Sequence, residues 1–221
     1  MITLEDIQFG YGTGFRLRIP EFTLETGERV AVVGPSGSGK TTLLNLIAGI
    51  LTPQSGRISV SGEEVSALSD AERRQFRASR IGFVFQDFAL LDYLSARQNI
   101  LYPYRITPAL KLDQAAAARA EDLAAACGIG DKLDRHPGAL SQGEQQRVAI
   151  CRALVTQPGL ILSDEATGNL DPDSKHRILD LLFAQAAAAG AAVLAVTHDH
   201  ELLARFDRVI DFADFRQGDA A

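Results

Sequence analysis

The chain is poor in several residue types on which whole classes of protein depend. It has no tryptophan, one methionine, four histidines and two cysteines in 221 residues. The two cysteines, Cys127 and Cys151, show no paired spacing. A disulfide framework or a zinc site is therefore not expected, and a reducing compartment is favoured.

The chain also lacks a basic excess and a long apolar run. Lysine and arginine number 22 against 28 acidic residues, which gives a formal net charge of −6. Proteins that bind duplex nucleic acid usually carry a basic excess, so no nucleic acid partner is expected. No apolar run approaches the roughly 20 residues that cross a bilayer, and the acidic start has no apolar signal core. If the protein acts at a membrane, we expect it to do so from outside the bilayer, through a partner protein.

What the chain does contain is an alternation of short β-branched runs with longer amphipathic segments. The sequence predicts strands over 29–33, 58–60, 81–85, 160–163 and 191–197, and helices over 41–51 and 172–189. Ser69 opens a Ser-x-x-Glu capping box, which predicts a further helix before the strand at 81. This alternation indicates an α/β fold with a mainly parallel sheet and helices on both faces.

A helical insert interrupts this alternation from about 87 to 135. Alanine dominates 114–127, and the β-rich runs stop. Ser95 is interpreted as a helix start, and Thr107-Pro108 as an N-cap followed by proline at the first helical position.

The segment GPSGSGKTT matches the phosphate-binding pattern G-x-x-x-x-G-K-[ST] between a predicted strand and a predicted helix. Small residues let backbone N–H groups converge on phosphate oxygens, and the helix start adds a favourable dipole. Lys40 is expected to reach the β- and γ-phosphates of a bound nucleotide, and Thr41 to offer its hydroxyl to Mg²⁺. The nucleotide-binding candidates of this loop are Gly34, Pro35, Ser36, Gly37, Ser38, Gly39, Lys40, Thr41 and Thr42.

Polar residues also follow three other predicted strands. Asp164 is the candidate Mg²⁺ ligand, through water, and Glu165 is the candidate that polarises the attacking water. Such an acidic pair also occurs in ordinary solvated loops, but parallel strands bring their C-terminal ends to one edge. His198 is either a γ-phosphate sensor or a structural hydrogen-bonding group. Gln86 is either a Mg²⁺ or water contact or an ordinary strand end.

The segment LSQGEQQ begins at Leu140 and contains another capping box, from Ser141 to Glu144. By itself it is a helix start, and its exposed N–H groups are also suited to binding an anion.

Together these motifs resemble the ATP-binding subunit of ABC transporters, over nearly the whole chain and in the same order. The resemblance implies a P-loop NTPase core with an N-terminal antiparallel β part and a helical subdomain of about 87–158, within one domain of 1–221. It implies roles for these residues: Gln86 in the Q-loop, Ser141 and Gly143 in the signature motif, Asp164 in Walker B, Glu165 as catalytic glutamate, Asp171 in the D-loop, His198 as switch histidine and Tyr11 stacked on adenine.

Within that family the chain looks most like the lipoprotein-release, macrolide-export and cell-division ATPases. The resemblance implies a head-to-tail dimer of two copies, and an integral membrane permease that the subunit drives from the cytoplasmic face of the inner membrane. Two residues depart from the usual pattern: Gln142 replaces a glycine, and Ala166 replaces a proline. Neither removes a required functional group, so activity is expected.

Three alternatives stay open. A soluble ABC ATPase of DNA repair or translation would usually carry coiled-coil inserts, zinc cysteines or a second cassette. A small-molecule P-loop kinase would leave the signature motif and His198 without a role.

An arginine cluster on the helix after Ser69 could contact anionic headgroups or the permease, although a solvated face is favoured; its members are Arg73, Arg74, Arg77 and Arg80.

Overall fold

The computed structural model describes residues 1–12, 14–167 and 172–216. The strands, in chain order, are β1 (Ile2–Tyr11), β2 (Phe15–Leu24), β3 (Arg29–Val33), β4 (Ser55–Val60), β5 (Glu63–Glu64), β6 (Ile81–Val84), β7 (Leu160–Asp164), β8 (Ala192–Val196) and β9 (Arg208–Asp211). The helices are α1 (Lys40–Ile47), α2 (Asp70–Arg80), α3 (Ala96–Ile100), α4 (Pro103–Ile106), α5 (Gln114–Ala126), α6 (Gln142–Leu154) and α7 (Pro172–Ala188).

The strands form two sheets of different kinds. An antiparallel sheet has the order β2-β1-β4-β5, and a parallel sheet has the order β6-β7-β8-β3-β9. The antiparallel sheet belongs mainly to the start of the chain, as the resemblance implies. The predicted α/β class, with its parallel core, antiparallel part and helical insert, is confirmed.

The parallel sheet is buried on both faces, and its side chains alternate between two apolar clusters. Leu160 and Leu162 of β7 point into a core shared with α1 and the antiparallel sheet. Ile161, between them, points to the opposite face, where α6 and α7 pack. This period of two is the strand geometry expected when helices cover both faces of a sheet.

A third apolar cluster belongs to the helical insert and to α6. It joins alanines on one face of α5 to Leu140, Val148 and Val155. The hydroxyl of Tyr104 donates to the carbonyl oxygen of Val155, and Arg119 Nε donates to the same oxygen. Within the described ranges, no helix combines the length and apolar character that crossing a membrane requires.

The helix starts predicted from capping boxes are present at three serines. At Ser69, Ser95 and Ser141, each hydroxyl accepts from the backbone N–H three residues on, and that residue's side chain accepts from the serine N–H. The helix start predicted at Thr107 is wrong. The Thr107 hydroxyl accepts from Ala109 N, only two residues on, which closes a local turn. The next helix, α5, begins at Gln114 instead.

Two of the clustered arginines do not form a solvated face. Arg73 donates to the carbonyl oxygen of Leu68. Arg77 donates to the carbonyl oxygen of Ala48, where α1 ends. Burial lowers the pKa of the Arg77 guanidinium below its ordinary value. These arginines tie α2 to neighbouring loops, since buried carbonyls at element ends need donors.

Candidate functional site

The phosphate loop lies between β3 and α1, and its backbone requires glycine. Gly39 has a φ of 114° at the N-cap of α1, and an added Cβ there would lie 2.6 Å from Phe15 Cζ. The ammonium group of Lys40 donates to the carbonyl oxygens of Gly34 and Pro35, both at 2.8 Å. Lys40 is 5% exposed. A buried positive charge is thus held among the loop's own backbone groups, which suits an anionic ligand.

Aromatic rings connect this loop to Tyr11. The Phe15 ring lies against Gly39, and the Tyr11 ring lies 5.6 Å from the Phe15 ring and 4.8 Å from that of Phe9. Tyr11 is half exposed, at 50%. The sequence alone could not separate a buried strand aromatic from an exposed one; this ring is accessible for stacking and lies beside the loop.

Asp164 ends β7, two strands away from β3 in the parallel sheet. Burial raises the pKa of the Asp164 carboxyl above its ordinary value. Its interaction with the Thr41 side chain and the Lys40 charge lower that pKa, while the nearby Glu165 charge raises it. The structure therefore brings the phosphate loop and the predicted metal ligand together.

Glu165 and His198 face each other at the same edge of the sheet. His198 Nδ1 lies 3.2 Å from Glu165 Oε1. Glu165 has a left-handed φ of 45°, and its N–H donates to the carbonyl oxygen of Val196 at 3.0 Å. Such a conformation is uncommon for a non-glycine residue and holds only when surrounding contacts fix it. Ala166, the residue that departs from the usual proline, is buried and lines a small cavity beside α7.

The loop that carries His198 is tied to the first turns of α7. Lys175 Nζ donates to Asp199 Oδ2 at 2.7 Å, and Asp199 N donates to Thr197 Oγ1 at 3.0 Å. The Lys175 hydrogen bond holds the pKa of the Asp199 carboxyl below its ordinary value. No local sequence pattern signals this pair, because 24 residues separate its members.

Gln86 follows β6 and is exposed. The Phe85 ring before it stacks on Phe83 at 4.2 Å. Parallel pairing of β6 with β7 places the position of Gln86 at the same sheet edge as Asp164.

The signature segment belongs to a different part of the molecule. Ser141 is exposed and begins α6, while Leu140 before it packs in the apolar cluster of the helical insert. The amide nitrogen of Gln145 donates to the carbonyl oxygens of Pro137 and Leu140, which fixes the approach to the helix. At Gly143 an added Cβ would meet nothing within 4 Å. Asp171 lies outside the described residues.

Comparison with known proteins agrees with this arrangement. The ABC transporter family matches residues 17–168. The chain is 44% identical over 196 residues to the lipoprotein-releasing system ATP-binding protein LolD 1 of Caulobacter vibrioides, covering 89% of this chain and 83% of that protein. It is 39% identical to the LolD of Xanthomonas oryzae pv. oryzae, covering 96% and 87%.

Solved structures show the same fold. A dimeric post-hydrolysis state of the ATP-binding cassette MJ0796, bound to ADP and Pi, matches with a TM-score of 0.84 and 32% identity over 96% of this chain and 94% of that one. CbiO1 from Clostridium perfringens, part of the ABC transporter complex cbiONQ, matches with a TM-score of 0.84 and 30% identity over 95% and 83%. These matches do not favour a soluble repair or translation ATPase. The chain belongs to the ABC transporter family, as one of its ATP-binding subunits.

Proposed function

We propose that the chain is a Mg²⁺-dependent ATPase whose active site is completed by a second copy and whose turnover drives a separate membrane permease. One observation carries the proposal. Lys40 is buried within a glycine-dependent loop, and both its charge and the adjacent Thr41 side chain act on the Asp164 carboxyl at the end of β7.

The loop and its surroundings fit ATP. Backbone N–H groups at the start of α1 and the Lys40 ammonium group supply the positive potential that phosphates need. The exposed Tyr11 ring lies beside the loop, through Phe15, where it can stack on a flat base.

The oxygen donors beside the loop fit Mg²⁺. Thr41 supplies a hydroxyl, Asp164 a carboxylate and Gln86 an amide oxygen, and hard oxygen ligands are those that Mg²⁺ prefers. Burial opposes the negative charge of Asp164, so a nearby cation would offset that penalty. When bound by these residues, the metal would supply positive charge that offsets the negative charge of the phosphates.

The groups at the strand ends fit water activation. Glu165 would orient the attacking water and accept its proton, because its carboxylate projects from a fixed left-handed backbone. His198, at hydrogen-bonding distance from that carboxylate, would hold its position and contact the γ-phosphate. Gln86 would contact the water or the metal.

The second copy is inferred from the start of α6. Its N–H groups and the Ser141 hydroxyl form an anion site that lies in the helical part of the chain. Glycine is a poorer helix former than alanine, and no contact within the described chain requires glycine at 143, in the first turn of α6. A partner's γ-phosphate close to the backbone would explain it.

Replacing Ser141 by arginine is expected to abolish ATP hydrolysis at concentrations where the wild-type subunit is dimeric, because the side chain would block the partner's phosphate. Ser69→Arg is the matched control, since it removes the same kind of capping box from the exposed start of α2. Both variants lose a cap worth about 1 kcal/mol, but only Ser141→Arg should lose activity. Full activity of homogeneous Ser141→Arg would contradict the composite site.

The same site predicts complementation between two inactive variants. In a mixed dimer of Lys40→Ala and Ser141→Arg, one site combines the intact Lys40 of one copy with the intact Ser141 of the other. An equal mixture should recover up to about a quarter of wild-type activity, because half of the dimers are mixed and each has one of its two sites intact. Wild-type activity itself should rise steeply with subunit concentration.

We infer that the permease contact lies in the helical insert, at the cytoplasmic face of the inner membrane. Three large apolar side chains of that insert are exposed: Tyr93 at 73%, Ile106 at 56% and Leu112 at 42%. Exposed apolar groups of this kind mark contact surfaces when they share one region. The similar LolD proteins are named as parts of a lipoprotein-releasing system, which supports an integral membrane protein as the occupant.

Tyr93→Asp and Ile106→Asp are each expected to reduce the integral membrane protein that co-purifies with the tagged subunit from detergent-solubilised membranes. The matched control is Val209→Asp on the edge strand β9, where the side chain is also exposed, at 43%. All three subunits should hydrolyse ATP when free of the permease. Equal retention of the same membrane protein by all three variants would remove these residues from the contact.

A further inference from the structure

The segment that follows Gln86 has a strained backbone. Phe88 has a φ of 61° and Ala89 a φ of 46°, two successive non-glycine residues in the left-handed region. Ala89 N donates to the carbonyl oxygen of Asp87 at 2.7 Å, which closes a three-residue turn around Phe88. Turns of this kind with positive φ are rare and strained, so surrounding contacts must hold the segment.

Phe88 is buried and its N–H donates to the carbonyl oxygen of Phe85 at 3.1 Å, and Arg152 of α6 supplies two further contacts. Its guanidinium donates to the carbonyl oxygen of Phe88 at 2.6 Å and to that of Ala89 at 2.5 Å. Burial lowers the pKa of Arg152 to about 10, and the Asp87 charge partly opposes that shift. The side chain therefore stays charged at neutral pH, and two charge-assisted hydrogen bonds span 63 and 64 residues of sequence.

Gln86 lies between two anchors. On one side Phe85 stacks on Phe83 of β6, and on the other Arg152 holds the Phe88 and Ala89 carbonyls. The helix α6 packs closely on β6: a Cβ added to Gly82 would lie only 2.3 Å from a carbonyl oxygen of α6. A strained turn held by Arg152 therefore lies two residues after Gln86.

We propose that Arg152 is a positioning residue: it holds the strained Phe88–Ala89 turn and thereby fixes Gln86 at the active site. The inference rests on the proposed role of Gln86. It also gives α6 a second task, since Ser141 begins this helix and Arg152 lies 11 residues later, roughly 16 Å along the axis. A shift of α6 caused by a partner's phosphate at Ser141 would reach Gln86 of the same copy through this side chain.

The test is a double-variant experiment on the full chain. Arg152→Met keeps an apolar stem but removes both hydrogen bonds. It is expected to lower kcat by roughly 100-fold, as misplacing a group by about 1 Å can do, and to raise the Mg²⁺ concentration for half-maximal activity. Hydrogen exchange at residues 86–90 should become faster. Arg152→Lys should fall between Arg152→Met and wild type, because one ammonium cannot reproduce the planar fork.

Adding Ala89→Gly to either variant separates strain from general stability. Ala89 is exposed, so glycine removes little packing and lets the backbone keep the left-handed conformation without Arg152. The double variant should recover about tenfold in kcat, because the left-handed region disfavours alanine against glycine by about that factor. Gln157→Gly is the matched control: Gln157 is exposed with a φ of 52° outside the segment, and it should restore no activity.

Equal recovery by Gln157→Gly and Ala89→Gly would overturn the proposal, since Arg152 would then serve stability alone. Unchanged Mg²⁺ dependence together with unchanged exchange at residues 86–90 would overturn it as well. If Ala89→Gly restores slow exchange but not activity, the link between Arg152 and the turn stands and the proposed role of Gln86 fails. If Arg152→Met does not fold, the same comparisons are made with Arg152→Lys.

Discussion

Replacing Lys40 by alanine is expected to reduce ATP hydrolysis to background while the subunit stays folded. The ammonium group is the buried positive charge of the phosphate loop, and it donates to two carbonyl oxygens of that loop. Without it, the loop keeps its N–H groups but loses the charge that would contact the β- and γ-phosphates. Phosphate release by the purified subunit measures the loss, and thermal unfolding followed by circular dichroism verifies the fold.

Two further variants make the Lys40 result specific. Lys40→Met retains most of the buried stem without the charge, so it should be as inactive as Lys40→Ala. Lys111→Ala removes an exposed lysine of the helical insert and should leave hydrolysis by the free subunit unchanged. Hydrolysis by Lys40→Ala at the wild-type rate would show that residues 34–42 are not the phosphate site.

Glu165→Gln is expected to bind ATP but to hydrolyse it at least ~100-fold more slowly, in line with the contribution of a positioned general base. The amide is nearly isosteric with the carboxylate, so the left-handed backbone and the Val196 hydrogen bond should persist. Single-turnover hydrolysis measures the chemical step. Glu201→Gln is the charge-matched control on an exposed glutamate nearby and should hydrolyse ATP normally.

The same variant should accumulate as an ATP-bound dimer. Each of the two facing sites loses one negative charge near phosphate, which reduces repulsion, and the slow chemical step prolongs the bound state. Light scattering with ATP should therefore report twice the subunit mass for Glu165→Gln. A Glu165→Gln subunit that remains monomeric and turns over normally would remove Glu165 from the mechanism.

Much of the fold and the site follows from local patterns in the sequence. The phosphate loop and the capping boxes at Ser69, Ser95 and Ser141 each lie within a few consecutive residues, so short stretches specify them. The buried strands were predicted to within a few residues, since apolar β-branched runs between turn residues have few other uses. The helix start predicted at Thr107 was wrong because a threonine before proline can also close a turn that leads into no helix.

Features that depend on distant partners left no such signal. The sequence favoured a solvated helix face for Arg73 and Arg77. In the structure both donate to backbone carbonyl oxygens, one before α2 and one at the end of α1. Arg152 lies in a helical pattern that gives no sign of the turn at Phe88 and Ala89. Long-range hydrogen bonds depend on how helices and strands pack together, and no short stretch of sequence specifies that packing.

The open space at Gly143 has a consequence for protein engineering. A library ranked by the melting temperature of the isolated subunit would favour alanine there, because helix propensity is then the only quantity being scored. Such a campaign would replace Gly143, which we propose the assembled ATPase uses. The stability of the isolated subunit would not reveal that loss. Variants of this subunit therefore need to be ranked on paired, nucleotide-loaded protein as well as on the lone chain.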